Sequence, residues 1–556
     1  MKVAIEGCCH GELDNIYHTI DLAIVQAGIE PPDVLICCGD FQSFRNHADL
    51  HTFAAPHKYR QLGCFWKYYS GQKVAPILTI FVGGNHEASG YLWELYHGGW
   101  VAPNIYFLGF AGSVILKKTL PDGSTDSIRI SGASGIYKKH DYCTGHYERI
   151  PFDQGTIRSI YHIREYDIFR LSKLPVSTND IFVSHDWPVG IEQYGNTAQL
   201  LRVKPFFRDE VTTNTLGSPP LMHLLKTIKP SYWFSAHLHV KFAALYHHDR
   251  QSDSLPLNQP EGAVTKVDNP DELQVDIEDD EPETCPLTTS IDRRLIRNPD
   301  IIEIDDSDED TGPNEPRTAP LRILSTFDQT YNSQGTHASH MERQKLVVPS
   351  TIQENDTAVN TLDINIDVPD MQSPLEQSTR FLALDKCLPH RDFLQILDIP
   401  CKSMLSSTVS KCTSNVTVDL EAPGLASPDV VATENSPAQI ADTNGSTARL
   451  FFDPHWLAIT RAFHDYLPLS KHHNKVLPTD PLLSKKMVDK ELEWVKNNLK
   501  PETLEIGCVQ TFVKTAPGID DLGGEHAGQL LWYTNPQTLA FTHFLQINNK
   551  INAASG

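Results

Sequence analysis

Five short apolar runs in this chain each stop at a cluster of metal-type donors, and that recurrence constrains the fold more than any other feature. Val3–Glu6 leads into Gly7-Cys8-Cys9-His10, Val34–Cys38 into Gly39-Asp40, and Ile77–Val82 into Gly83-Gly84-Asn85-His86-Glu87. Ile181–Ser184 is followed by His185-Asp186, and Tyr232–Ser235 by Ala236-His237-Leu238-His239. Runs this short read as buried strands. Between the first two, residues Glu12 to Gly28 carry Leu13, Ile16, Tyr17, Ile20, Leu22, Ala23 and Ile24, a helical stripe closed by glycine. Further strands are expected at Ile105–Leu108 and Ser127–Ser131, and helices at Thr156–Leu171 and Pro220–Ile228. Alternating strands and helices with donors at strand ends describe an α/β layered fold, in which a rigid sheet holds functional loops.

The pattern covers residues 1–248. From 249 to 378, Asp, Glu, Pro, Ser, Thr and Asn dominate and periodicity is lost, so an acidic disordered insertion is expected. A strand and turn at 379–400 should complete the catalytic domain, before a second disordered linker at 401–448. A C-terminal domain of mixed, largely helical character then occupies 449–548, where Asp453 and Pro454 are suited to a helix N-cap and first turn. The net charge of −23 is concentrated in the insertion. Asp268–Glu283 holds nine acids and Asp300–Asp310 seven, with no Lys or Arg in either, leaving the rest of the chain at only −7. Whole-chain charge therefore does not exclude a nucleic-acid partner. No apolar run is long enough to span a bilayer, so no membrane partner is expected. The scattered cysteines and the absence of a leader pattern suit a reducing compartment.

Two divalent ions a few ångströms apart need a bridging carboxylate with N and O donors on either side. Asp40 is the expected bridge. Cys8, His10 and His239 would complete one ion's shell, and Asn85, His185 and His237 the other's, although a single working ion on the Asp40, Asn85, His185 and His237 side is also open. His86 would then face the substrate. Cys9, Cys37, Cys38, His223, His247 and His248 read as packing or surface residues.

The order of these motifs resembles that of the calcineurin-like metallophosphoesterases, and several stretches are more specific. Gly7-Cys8-Cys9-His10-Gly11-Glu12-Leu13-Asp14, Cys38-Gly39-Asp40-Phe41-Gln42-Ser43-Phe44-Arg45-Asn46, Gly84-Asn85-His86-Glu87-Ala88-Ser89, Ser184-His185-Asp186-Trp187-Pro188, Trp233-Phe234-Ser235-Ala236-His237-Leu238-His239 and Phe381-Leu382-Ala383-Leu384-Asp385-Lys386-Cys387-Leu388-Pro389 resemble the RNA lariat debranching enzymes, which also carry cysteine at the first ligand position. The resemblance implies an αββα sandwich and hydrolysis of the 2′–5′ phosphodiester at the branch of an excised intron lariat. It implies attack by a metal-bound hydroxide, with His86 as general acid to the 2′ oxygen. A soft Cys8 thiolate favours Zn(II) or Fe(II) over Mg(II), and the resemblance implies Fe(II), Zn(II) or Mn(II).

A lariat recognition loop is implied at about 131–161. Its rings and cations, Tyr137, Lys138, Lys139, His140, Tyr142, His146, Tyr147, Arg149 and Arg158, suit stacking on unpaired bases and pairing with phosphates. Phe44, Arg45 and Asn46 are also expected near the branch. Nuclear localisation follows from the substrate alone. Ile301, Ile302 and Ile304, beside an acidic run, resemble a SUMO-interacting strand. Two other readings stay open: a general metallophosphoesterase acting on nucleotides or phosphoproteins, and a non-catalytic RNA-binding splicing factor.

Overall fold

The computed structural model describes residues 1–177, 180–248, 377–401, 448–521 and 531–553. The two segments expected to be disordered lie almost wholly outside the described residues, as do Ile301, Ile302 and Ile304.

Thirteen strands among the described residues form two sheets. The first contains β1 (Lys2–Glu6), β2 (Val34–Cys37), β3 (Thr79–Phe81), β4 (Gly99–Ala102), β5 (Ile105–Phe107) and β12 (Leu394–Asp398), ordered β12-β1-β2-β3-β5-β4. The second contains β6 (Ala111–Thr119), β7 (Thr125–Ala133), β8 (Asp180–Ser184), β9 (Tyr232–Ser235), β10 (Phe242–His247), β11 (Ser378–Ala383) and β13 (Ala448–Phe452), ordered β10-β11-β9-β8-β7-β6-β13. β1, β2, β3 and β5 are parallel, as are β7, β8, β9 and β11, so their C-terminal ends gather at common edges.

Burial on both faces explains why the central strands read as unbroken apolar runs. Val3, Ile5, Val34, Ile36, Ile80 and Val82 belong to one cluster with Ile128, Ile130, Val183 and Phe234 of the opposing sheet. The alternate residues Ala4, Leu35, Cys37 and Phe81 pack with Leu13, Ile16 and Ile20 of the helix Leu13–Ala27. That helix ends at Gly28, whose left-handed φ of 60° suits glycine. On the second sheet's flank, the helix Pro219–Ile228 is capped by Ser218 and buries Leu221, Leu224, Leu225 and Ile228. Two sheets between helical layers give the expected αββα arrangement. No helix among the described residues is long and apolar enough to cross a membrane.

The chain after the first insertion returns to both sheets. β11 inserts between β9 and β10, β12 pairs antiparallel with β1, and β13 pairs antiparallel with β6. The residues Ala448–Phe452 before Asp453 are thus strand. Asp453 does cap the helix Pro454–Phe463, accepting from the His455 N–H at 2.9 Å. Its carboxylate also receives Ser113 Oγ and Arg129 Nε from the second sheet.

The expected helix Thr156–Leu171 is broken into Thr156–Ser159 and Glu165–Leu171. Arg164 interrupts it: the residue is extended and fully buried, donating to Glu148, the Ser159 carbonyl and the Asp141 carbonyl. The intervening His162 forms a bridge with Ile136 instead of continuing the helix.

Candidate metal centre

The predicted ligands meet where parallel strands of the two sheets end. Reaching that point requires unusual backbone. His10, Asp40, His237 and His239 have φ of 45°, 49°, 63° and 47°, a left-handed region that non-glycine residues adopt at a cost. Two glycines give the donors room. A Cβ on Gly84 would stand 2.2 Å from Asp40 Oδ1, and one on Gly39 would stand 2.3 Å from His185 Nδ1.

On one side, donor atoms of Cys8, His10, Asp40 and His239 all lie within 4.8 Å of one another. His10 Nε2 faces His239 Nε2 at 3.4 Å and Asp40 Oδ2 at 3.6 Å. On the other side, His185 Nε2 is 3.2 Å from Asn85 Oδ1 and 3.4 Å from Asp40 Oδ1, and the His185 and His237 ring centres are 5.0 Å apart. The two Asp40 oxygens thus address opposite halves of the cluster. Cys8, His10 and His239 lie on one side of Asp40, and Asn85, His185 and His237 on the other.

The electrostatics suit a cation. Burial lowers His10 to about 4 and takes His237 and His239 well below the usual imidazole range, leaving neutral rings. Burial would raise Asp40, but the neighbouring His185 and His86 hold its carboxyl well below the ordinary range. Burial and the Asp40 and Glu6 charges push the Cys8 thiol up, so a nearby cation is what would favour its thiolate. Ligands about 2.1 Å from one tetrahedral ion are roughly 3.4 Å apart, the spacing at which these nitrogens and oxygens stand. Buried neutral imidazoles converging on an anionic carboxylate and a thiol fit a divalent metal.

Hydrogen bonds behind the donors fix their orientation. His185 Nδ1 donates to the Cys38 carbonyl at 2.9 Å, which leaves Nε2 as the donor lone pair. The Gln42 amide lies 3.4 Å from His10 Nδ1, the ring atom turned away from Asp40. Glu87 accepts backbone N–H groups from Phe41, Gln42 and Gly84 at 2.8–2.9 Å, tying the Asp40 loop to the Asn85 loop. Burial and the Asp40 charge raise Glu87 to about 7. Sequence reasoning assigned Gln42 and Glu87 no role, though both lie within the quoted motifs.

His86 is placed beside the ligands. Its backbone N–H donates to Asp40 Oδ1 at 2.8 Å, and its ring centre is 5.7 Å from that of His10 and 5.8 Å from that of Phe53.

The segment expected to face RNA begins next to the centre, where the Tyr137 N–H donates to Asp186 Oδ2 at 3.2 Å. Tyr137, Lys138, Tyr142, Tyr147 and Arg158 are half-buried, while Lys139, His140 and Arg149 are exposed. Arg149 donates to the carbonyls of His146, Glu148 and Leu469.

Four other residues expected to face RNA are turned inward instead. His146 is 1% exposed and bonded to Asp167 at 2.7 Å. Phe44 is fully buried against Phe53. Arg45 is 2% exposed, with its guanidinium divided among Asp49, Glu94 and Thr515. Asn46 likewise donates to the Pro517 carbonyl. These groups are held by internal partners that local sequence does not announce.

The C-terminal part of the chain braces the Cys8 strand end and the Asp40 loop. The Cys8 N–H donates to the Asp385 carbonyl, and the Cys387 N–H to the Cys8 carbonyl. A Cβ on Gly7 would stand 2.1 Å from the Asp385 carbonyl oxygen, so only glycine permits this approach. Residues 515–517 grip the Asp40 loop through Arg45 and Asn46.

Residues 1–241 match the family model of the calcineurin-like phosphoesterases, and residues 376–550 that of the lariat debranching enzyme C-terminal domain. A lariat debranching enzyme of Arabidopsis thaliana is 54% identical over 266 residues, covering 48% of this chain and 59% of that protein. Lariat debranching enzyme A of Xenopus laevis is 56% identical over 256 residues, covering 46% of each chain. The lariat debranching enzyme of Homo sapiens is 57% identical over 248 residues, covering 45% of this chain and 44% of that one. The chain thus spans about half the length of the curated relatives it matches.

Proposed function

We propose that this chain, which matches the calcineurin-like phosphoesterase model over residues 1–241 and the lariat debranching enzyme C-terminal domain over residues 376–550, is a lariat debranching enzyme that hydrolyses the 2′–5′ phosphodiester at the branch of an excised intron lariat. The observation that carries this reading is the interlocking of its two parts. Asp385–Cys387 and residues 515–517, both within the C-terminal match, brace the loops bearing Cys8 and Asp40. A phosphoesterase centre built jointly with a debranching domain favours branched RNA over simple phosphate esters.

Cys8, His10, Asp40 and His239 would hold one divalent ion, and Asp40, Asn85, His185 and His237 a second. Bound there, the ions would supply Lewis acidity to the phosphate and a nucleophile near neutral pH. The thiol and imidazole donors favour Zn(II) or Fe(II), while the oxygen donors of Asp40 and Asn85 also admit Mn(II). His86 protonates the departing 2′ oxygen as the P–O bond breaks, and the Asp40–backbone hydrogen bond keeps its position fixed. Tyr137 and Tyr142, with ring centres 5.7 Å apart, offer stacking surfaces, while Lys138 and Lys139 attract the adjoining phosphates. His140, Tyr147, Arg149 and Arg158 extend that surface. Nuclear residence follows from this substrate.

The test compares a synthetic 2′–5′ branched RNA with its 3′–5′ linear isomer, each given to the Mn(II)- or Fe(II)-loaded protein. Cleavage confined to the branch supports the proposal. Equal cleavage of both, or of neither, overturns it.

A further inference from the structure

Where the expected recognition loop meets the segment that follows it, a second group of donors converges without sharing any residue with the metal centre. Donor atoms of His140, Asp141 and His162 lie within 4.8 Å of one another. His162 Nδ1 is 2.6 Å from Asp141 Oδ2, and His140 Nε2 approaches the same oxygen at 3.3 Å. The two imidazole rings meet edge-on with centres 5.8 Å apart. We propose that His140, Asp141 and His162 form an independent site for a zinc-type divalent cation that clips the recognition loop closed.

Two of the three donors are held side by side, and an ion would displace the proton of the 2.6 Å His162–Asp141 hydrogen bond and spread the two atoms apart. Asp141 is 4% exposed and His162 is 7% exposed. The Asp141 carbonyl receives Arg164 Nη1 at 2.8 Å, and its N–H donates to the Lys138 carbonyl. His162 is fixed by its bridge to Ile136 and by donation of its N–H to the Ser159 carbonyl. His140, whose side chain is 74% exposed, would be the third ligand. A chelate with two donors already side by side loses little entropy on binding.

The donor chemistry selects the ion. Two imidazoles and one carboxylate suit Zn(II) or Co(II), with water filling an open position. Ca(II) and Mg(II) require more oxygen ligands than the cluster contains. Arg164 and Lys138 are the neighbouring positive charges felt by His162, and they limit affinity without blocking the donors. Binding would join the turn carrying His140 to the segment carrying His162, holding Tyr137, Lys138 and Tyr142 in one arrangement. That consequence for RNA rests on the debranching reading; the ion site itself does not.

Full-length protein, stripped with chelator and dialysed against buffered free zinc, tests the proposal by metal counting. Wild type should bind one more zinc per chain than either His140→Asn or His162→Gln, whereas Cys8→Ser should retain that additional ion. Cobalt substitution should show the same difference in visible absorption. Equal counts in wild type and His140→Asn overturn the proposal and leave an ordinary His–Asp hydrogen bond. If His162→Gln fails to fold, the exposed His140→Asn variant alone decides. Metal counts are independent of RNA cleavage, so failure here leaves the proposed activity standing, and the reverse also holds.

Discussion

Replacing Arg45 with alanine should destabilise the protein by about 3–5 kcal/mol, the usual consequence of removing one member of a buried ion pair. The upper half of that range is expected. The guanidinium donates to both Asp49 oxygens and to Glu94 Oε1, each at 2.8 Å, and to Thr515 Oγ1 at 2.7 Å. Its loss would leave two carboxylates, each 1–2% exposed, without their cation. Urea unfolding of wild type and Arg45→Ala measures the difference directly. Its pH dependence has a defined sign. In the variant, buried carboxyls without a counter-charge have raised pKa values, so stability is recovered as pH falls through them. The gap should therefore be smaller at pH 5 than at pH 7. A change within about 0.5 kcal/mol, the range of ordinary surface substitutions, would refute the buried network. Combined with weakened RNA binding, it would return Arg45 to the substrate surface.

Replacing His86 with alanine should lower turnover roughly 10²–10⁴-fold while leaving metal content unchanged, measured by single-turnover kinetics beside elemental analysis. Equal loss of metal and activity would instead make His86 a ligand. Gln42→Leu should weaken binding at the Cys8-side ion about 10–100-fold, because His10 loses its ring-orienting partner; chelator competition would detect this. His464, far from the centre in sequence, is lowered to about 4 by burial. The unfolded chain binds its proton more readily, so stability should fall as pH drops from about 6.5 toward 4, by up to roughly 3 kcal/mol from this group. His464→Gln should show a flatter urea-midpoint profile across that window, and an unchanged slope would contradict the assignment.

The strand-end donors were legible because each apolar run is local and each is buried on both faces. Gly84-Asn85-His86-Glu87 carries its turn, ligand and substrate-facing residue within four positions. Long-range closure was harder to read. Nothing near Lys2 indicates that it pairs with Asp398, or that β13 at the edge of a polar linker completes the second sheet beside β6. Arg45 and His146 show the same limit at the level of side chains. Both have the chemistry of RNA contacts, but Glu94 and Thr515 for one, and Asp167 for the other, capture them from distant positions. Arg164 similarly overrode an amphipathic pattern by drawing the chain out of helix into a buried network.

The bond that is broken can be read from the products. A branched RNA cleaved in ¹⁸O-labelled water should yield a free 2′-hydroxyl at the branch and one ¹⁸O in the 5′-monophosphate of the released arm, resolved by mass spectrometry. A phosphate left on the 2′ oxygen, or label incorporated equally into the linear isomer, would contradict debranching by this centre.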